Sequence, residues 1–114
     1  MPDTDLSQTA TPPANVYEGN GQLSVAVPIP GAHREHVTVT VKPTEIVVDA
    51  VCKYPQVSQH YHRHEWKVGG WHAAVSLPAE VDPARARATL NLGVLVVMAP
   101  LGSASETAHT PPVE

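Results

Sequence analysis

The sequence has no phenylalanine, one cysteine (Cys52), and charged residues at only 16% of its 114 positions. Each shortage excludes something. With 4% aromatic residues in all, a core must be built from Val, Leu, Ile and Ala. Sparse charge leaves few Glu/Lys pairs at helix-face spacing, which disfavours a helical bundle. A lone cysteine rules out an internal disulfide and fits a reducing compartment, so the expected location is cytoplasmic. No apolar run approaches the roughly 18 residues of a membrane span, and the N-terminus lacks the basic-then-apolar pattern of a signal peptide. A formal charge of −4 argues against nucleic acid as the main partner.

What is present points to β structure. Valine is the commonest residue, and twelve Pro and seven Gly are more than a helical bundle tolerates. Residues 1–14 are small and polar, ending in Pro12-Pro13, and read as a disordered arm. Residues 102–114 have the same character, with Pro111-Pro112 unable to continue regular structure, and read as a flexible tail. Residues 15–101 between them read as one domain. Leu23, Val25, Val27 and Ile29 alternate with Gln22, Ser24, Ala26 and Pro28, so one face of that strand is apolar. Val37, Val39 and Val41 alternate with Thr38, Thr40 and Lys42 as a half-buried strand. From Thr44 to Lys53 both faces carry apolar residues, which predicts cover on both sides. His60–Trp66 is polar and reads as a further strand, exposed or paired with a partner. Trp71 to Leu77, Ala86 to Leu90 and Val94 to Ala99 complete the set, with Asp82-Pro83 capping one helical turn. Seven or eight strands with turn signals at roughly ten-residue spacing predict an all-β, immunoglobulin-like sandwich.

Catalytic chemistry finds little support. Cys52 sits in mid-strand beside Val51, with no preceding helix terminus to activate a thiolate. Gly19-x-Gly21 and Gly69-Gly70 lack the following helix and Lys of a phosphate cradle, and read as hairpin turns. His60, His62 and His64 are the chemical oddity: on a strand they would project from one face, about 7 Å apart at successive positions. Two such histidines can ligate a metal, but no later Glu and His stand in a supporting context, since His72 and His109 lie elsewhere. A solvated polar edge strand is the preferred reading. Neither a metal nor another cofactor is expected, and no enzymatic activity.

Four motifs in order then resemble the α-crystallin domain of the small heat-shock proteins. These are Ile29-Pro30-Gly31 followed by Val37; Tyr61-x-Arg63-x-Glu65; Gly69-x-Trp71 leading to Val75-x-Leu77-Pro78; and Ala88 with Gly93-Val94-Leu95 and Pro100. The resemblance covers about residues 15–100. It implies an ATP-independent holdase whose partners are non-native client proteins and a second copy of the chain, as a homodimer. The implied client groove is lined by Val37, Val39, Val41, Ala88 and Leu90, although alternation alone leaves open whether each row faces a groove or the core. The implied dimer contact joins Asn15, Val16 and Tyr17 to the partner's segment of His60, Tyr61, His62, Arg63, His64 and Glu65. Charging three histidines there, near the ordinary imidazole pKa, would weaken the dimer below about pH 6.

Several positions depart from the family pattern. Leu92 stands where Asn is favoured before the glycine, and His62, His64 and Trp66 replace residues commonly basic or polar. The N-terminal arm is short and lacks aromatic residues, and the tail has no Ile/Val-x-Ile/Val triplet. A small oligomer is therefore expected rather than a large shell. Two alternatives remain: a co-chaperone-like or scaffolding module docking one defined partner on the same fold, and a histidine-dependent metal protein using His60, His62 and His64.

Overall fold

In the computed structural model, residues 10–52, 60–65 and 69–114 are described, with Cys52 described by its backbone alone. Residues 1–9 of the arm expected over 1–14, the loop through Pro55 and the end of the expected strand at Trp66 lie outside these residues, while Ala10, within that arm, is bridged to β5. Seven strands follow in chain order: β1 (Asn15–Gly19), β2 (Gln22–Pro28), β3 (Ala32–Lys42), β4 (Glu45–Cys52), β5 (Gly70–Ser76), β6 (Arg87–Asn91) and β7 (Val94–Pro100). A 3-10 turn, Pro83–Arg85, precedes β6; Asp82 caps it by accepting the Ala84 N–H at 3.2 Å.

The strands form two antiparallel sheets, β1-β2-β7-β6 and β3-β4-β5. This is the sandwich that the alternation predicts. The inward row of one sheet is Leu23, Val25 and Val27 on β2, Ala88 on β6, and Leu95, Val97 and Ala99 on β7. It packs against Val37, Val39, Val41, Ile46, Val48 and Ala50 of the other. Side chains of period two fill the space between the layers; among the described residues the fully packed set holds no aromatic side chain, and Trp71 lies half-buried against it. Ile29, Leu77, Val81 and Ala86 add to the same cluster from the connections.

Turn chemistry fixes the register at both ends of the larger sheet. Asn20 and Gly21 join β1 to β2 at φ of 54° and 75°, and Leu92 and Gly93 join β6 to β7 at 54° and 80°. Two-residue loops with both φ positive match the natural twist of a hairpin. Pro28 and Pro100 each end a strand, where a missing N–H costs no ladder bond.

Two expectations need correction. The outer row of β4 is not fully covered within the chain: Val47 is half-buried, and Val51 is 54% exposed. Residues 60–65 form no strand here. Among the described residues no strand edge is bonded to this segment through its backbone, and alternation alone does not hold a polar segment extended.

Candidate functional site

The open side of the sandwich lies between β3 and β6, the edge strands of the two sheets. Residues 109–114 run across it. The Val41 N–H donates to the His109 carbonyl at 2.8 Å, and the His109 N–H returns a bond to the Val41 carbonyl at 2.9 Å. At the other end the Leu90 N–H donates to the Glu114 carbonyl at 2.8 Å, and the Glu114 N–H donates to Ala88 at 3.0 Å. The segment is thus antiparallel to β3 and parallel to β6. His109 and Val113 are half-buried and Pro111 is buried, while Thr110, Pro112 and Glu114 face out. That is strand periodicity, with Val113 packed on the core.

This differs from the flexible tail expected over 102–114. Pro111 and Pro112 cannot donate to a ladder, but their fixed φ suits an extended chain, and the hydrogen bonds are made on either side of them. Pro111-x-Val113 fills the inward positions. The signal that sequence reading missed is the alternation of His109, Pro111 and Val113, which the prolines disguised as a stop. Of the residues expected to line a groove, Val41, Ala88 and Leu90 meet this segment through their backbones. Val37 and Val39 lie farther along β3 and are buried between the sheets. The inward faces of Val41 and Ala88 are core as well as seam, both being fully buried.

The link from β7 to this segment is fastened by two acidic residues. Glu80 accepts the Ala104 N–H through Oε2 at 3.0 Å and the Gly102 N–H through its carbonyl at 3.1 Å. Asp82 Oδ1 accepts the Ser105 hydroxyl at 2.9 Å and the Ser105 N–H at 3.3 Å, besides capping Ala84. The Ser105 hydroxyl, foremost, with these N–H groups and the nearby Arg85 charge, holds the Asp82 carboxyl below the usual aspartate range against an opposing desolvation.

The remaining edges differ. Along β5, the Ala10 N–H donates to Gly70 and the His72 N–H donates to Ala10, both at 2.9 Å, so the chain covers part of that edge itself. Residues of β1 are all exposed, Val16 at 39% and Tyr17 at 52%. Among the described residues, no backbone hydrogen bond reaches the outer edge of β1. Asn15, Val16 and Tyr17 are therefore placed on a bare edge. The proposed counterpart, His60–Glu65, is not bonded to it through the backbone within one chain.

Within 60–65 the rings pair off. His60 and His62 meet edge to face at 5.4 Å, whereas His64 lies on Tyr61 at 4.8 Å. The three histidine rings therefore do not gather into one cluster of contacts. Among the described residues, no three His, Cys, Asp or Glu side chains converge as a metal site would need. Arg63 and Glu65 form an exposed ion pair at 3.3 Å, of a kind that contributes little. Sequence reading also passed over the His72–Asp49 pair, 2.6 Å across β5 and β4; its members are directly opposite in the register.

The Hsp20/alpha crystallin family profile matches residues 15–112. A search of curated proteins found no match. Among solved structures, hspA from Xanthomonas axonopodis superposes with a TM-score of 0.72 at 19% identity, covering 82% of this chain and 96% of that one. A small heat-shock protein from Xylella fastidiosa gives 0.70 at 23% identity, covering 87% and 93%. Heat shock protein 16.0 from Schizosaccharomyces pombe gives 0.67 at 24%, covering 86% and 93%. These likenesses carry the fold, and the profile match carries the family. The sandwich thus has structural relatives, and the chain belongs to the Hsp20/alpha crystallin family.

Proposed function

We propose that this protein is an ATP-independent holdase, binding non-native polypeptides and limiting their aggregation as a small oligomer, and that it works in the cytoplasm. The observation that carries the reading is the seam between β3 and β6, which holds an extended segment by backbone bonds at both ends and apolar side chains between. A site of that form selects shape and apolar alternation rather than one sequence, as capture of unfolding chains requires. Such a protein acts by mass action, lowering the free concentration of aggregating chains without turnover. Among the described residues no helix is long and apolar enough to cross a membrane.

The dimer is proposed to form where the β1 edge meets the 60–65 segment of a second copy. The outward-pointing N–H and C=O groups of alternate β1 residues would be completed by an added strand, and Val16 and Tyr17 would be covered. Heating an aggregation-prone unrelated protein at near-stoichiometric ratio, without nucleotide, tests the function. The holdase slows the rise in light scattering. An unchanged rise assigns the chain instead to a scaffold docking one defined partner.

A further inference from the structure

We propose that a hollow at the β1–β2 turn end of the four-stranded sheet binds a phosphate monoester. The hollow measures about 350 Å³ and is lined by Asn20, Gly21, Gln22, Arg85, Arg87 and Pro100. The register explains why these residues meet. Leu23, Ala86, Ala88 and Ala99 point into the core, so Gln22, Arg85, Arg87 and Pro100 beside them take the outer face. Gln22 stands opposite Pro100, and Arg87 stands opposite Met98, two residues earlier on β7. The turn and three strands thus bring two guanidinium groups and two side-chain amides around one proline, which has no N–H of its own to offer.

The chemistry of the lining selects the ligand. In a chain of net charge −4, this hollow carries two positive charges and no carboxylate. Among the described residues neither arginine enters an ion pair, whereas Lys42 is held by Glu45 and Arg63 by Glu65. Asp82 feels the Arg85 charge, but its Oδ1 already accepts from Ala84 and Ser105. The donors facing the hollow are therefore a planar fork from each arginine and the side-chain amides of Gln22 and Asn20. A carboxylate has two oxygens and one charge, which a single fork satisfies. A phosphate monoester has three free oxygens and a charge of about −1.5 to −2, which two forks with neighbouring amides match. The volume is many times the roughly 30 Å³ share of one water, so the phosphate can enter with the group that carries it. That carrier is a phosphorylated protein side chain or a small phosphorylated metabolite, and the doubly charged phosphate is common to both. The site uses neither the β3–β6 seam nor the outer edge of β1, so it stands whether or not the chain is a holdase.

The first probe is inorganic phosphate, titrated into the full chain at constant ionic strength and slightly alkaline pH, with chloride as the control. NMR follows the Nε–H groups of Arg85 and Arg87 and the amides of Gly21 and Gln22, with exposed Arg34 as a cation outside the hollow. Shifts at the hollow should saturate with phosphate while Arg34 stays flat. Arg85→Gln with Arg87→Gln should raise the dissociation constant at least tenfold, and the melting point without phosphate should barely move, because both side chains are exposed. Arg85→Lys with Arg87→Lys keeps the charges and loses the forks, so its affinity should fall between the two. Equal responses to phosphate and chloride, or at Arg34 and the hollow, would reduce the pair to a general cationic surface and overturn the proposal. So would unchanged affinity in the double Gln variant; if that variant fails to fold, Arg87→Gln alone is read in its place. A phosphoserine peptide, its unphosphorylated form and glycerol 3-phosphate then separate the carriers. Binding of the phosphopeptide at least tenfold tighter than glycerol 3-phosphate supports the site with a protein partner, and equal binding supports it with a small metabolite. An unphosphorylated peptide that binds as well as its phosphorylated form would overturn it.

Discussion

The four-stranded sheet ends in two hairpins that are stabilised in opposite ways. β1–β2 has the better local code, an Asn-Gly turn, yet all five residues of β1 are exposed and its outer edge is bare. β6–β7 has a poorer turn, with Leu92 at φ 54° and 94% exposed, yet its edge is closed by residues 113–114 and β7 lines the core. One hairpin is written by its turn and left open to a partner. The other is held by burial, and its turn is left to bear a conformation that leucine disfavours. Local propensity and tertiary cover are alternative ways of fixing an edge, and the uncovered edge is the one available for assembly.

The largest expected effect comes from removing the burial that holds β6–β7. Leu95 is fully buried and lies opposite both Val27 and Leu90 in the register. Leu95→Ala should destabilise the fold by about 2–5 kcal/mol, read by denaturant unfolding. A cost under about 1 kcal/mol would mean that burial is not what fixes this hairpin. Next is the bare edge. Val16→Lys with Tyr17→Lys puts charge where an added strand would pair, so the dimer dissociation constant should rise at least tenfold by sedimentation, about 1.4 kcal/mol. The monomer's melting point should barely move, because both side chains are already largely in water. An unchanged dissociation constant would move the dimer contact elsewhere.

A smaller effect concerns the closed edge and the Asp82–Ser105 contact that fastens the link leading to it. The Asp82 carboxyl is held below its ordinary range chiefly by the Ser105 hydroxyl, so its contribution is present above about pH 4. That contribution is lost as pH falls through the depressed folded value. The facing groups are Glu80, whose carboxylate holds Ala104, and Arg85, whose charge favours the ionised Asp82. Amide exchange at Leu90 should therefore lose more protection below pH 4 than exchange at Val25 in the core, once the intrinsic pH dependence is divided out. Equal loss at both would make the acid effect global rather than a release of the tail.

Much of this was legible in the residues. Val37, Val39 and Val41, or Leu23, Val25 and Val27, have a period that only a half-buried strand explains, and Asp82-Pro83 carried its cap in plain view. The tail was not legible. Two prolines read as the end of structure when a strand is imagined as a ladder, whereas this strand is bonded only beyond them. Nor was the division between groove and core, since Val41 serves both: its side chain is buried between the sheets and its backbone pairs with His109. His60, His62 and His64 misled for a different reason. Alternation places side chains on one face only after pairing has made the segment a strand, and among the described residues of one chain 60–65 is not paired to a strand.

The smallest effect is also the most direct test of the contrast between the hairpins, because it exchanges the two turns. Asn20 and Leu92 have the same φ, and each is followed by a glycine at positive φ. Asparagine visits this region readily, whereas leucine pays for the approach of its Cβ to the backbone. Leu92→Asn should therefore stabilise the protein by about 1 kcal/mol, and Asn20→Leu should destabilise it by a similar amount. Leu92 is almost wholly exposed, so its removal gives up little buried apolar surface to blur the result. If the β1 edge depends on its turn, Asn20→Leu should also loosen the dimer, since an edge with no cover has only the turn and the β2 ladder to hold it straight. Leu92→Asn should leave the dimer unchanged. Asn20→Leu losing stability without any loss of dimer would separate turn quality from assembly, and the bare edge would then owe its competence to its exposed side chains rather than to a pre-set backbone.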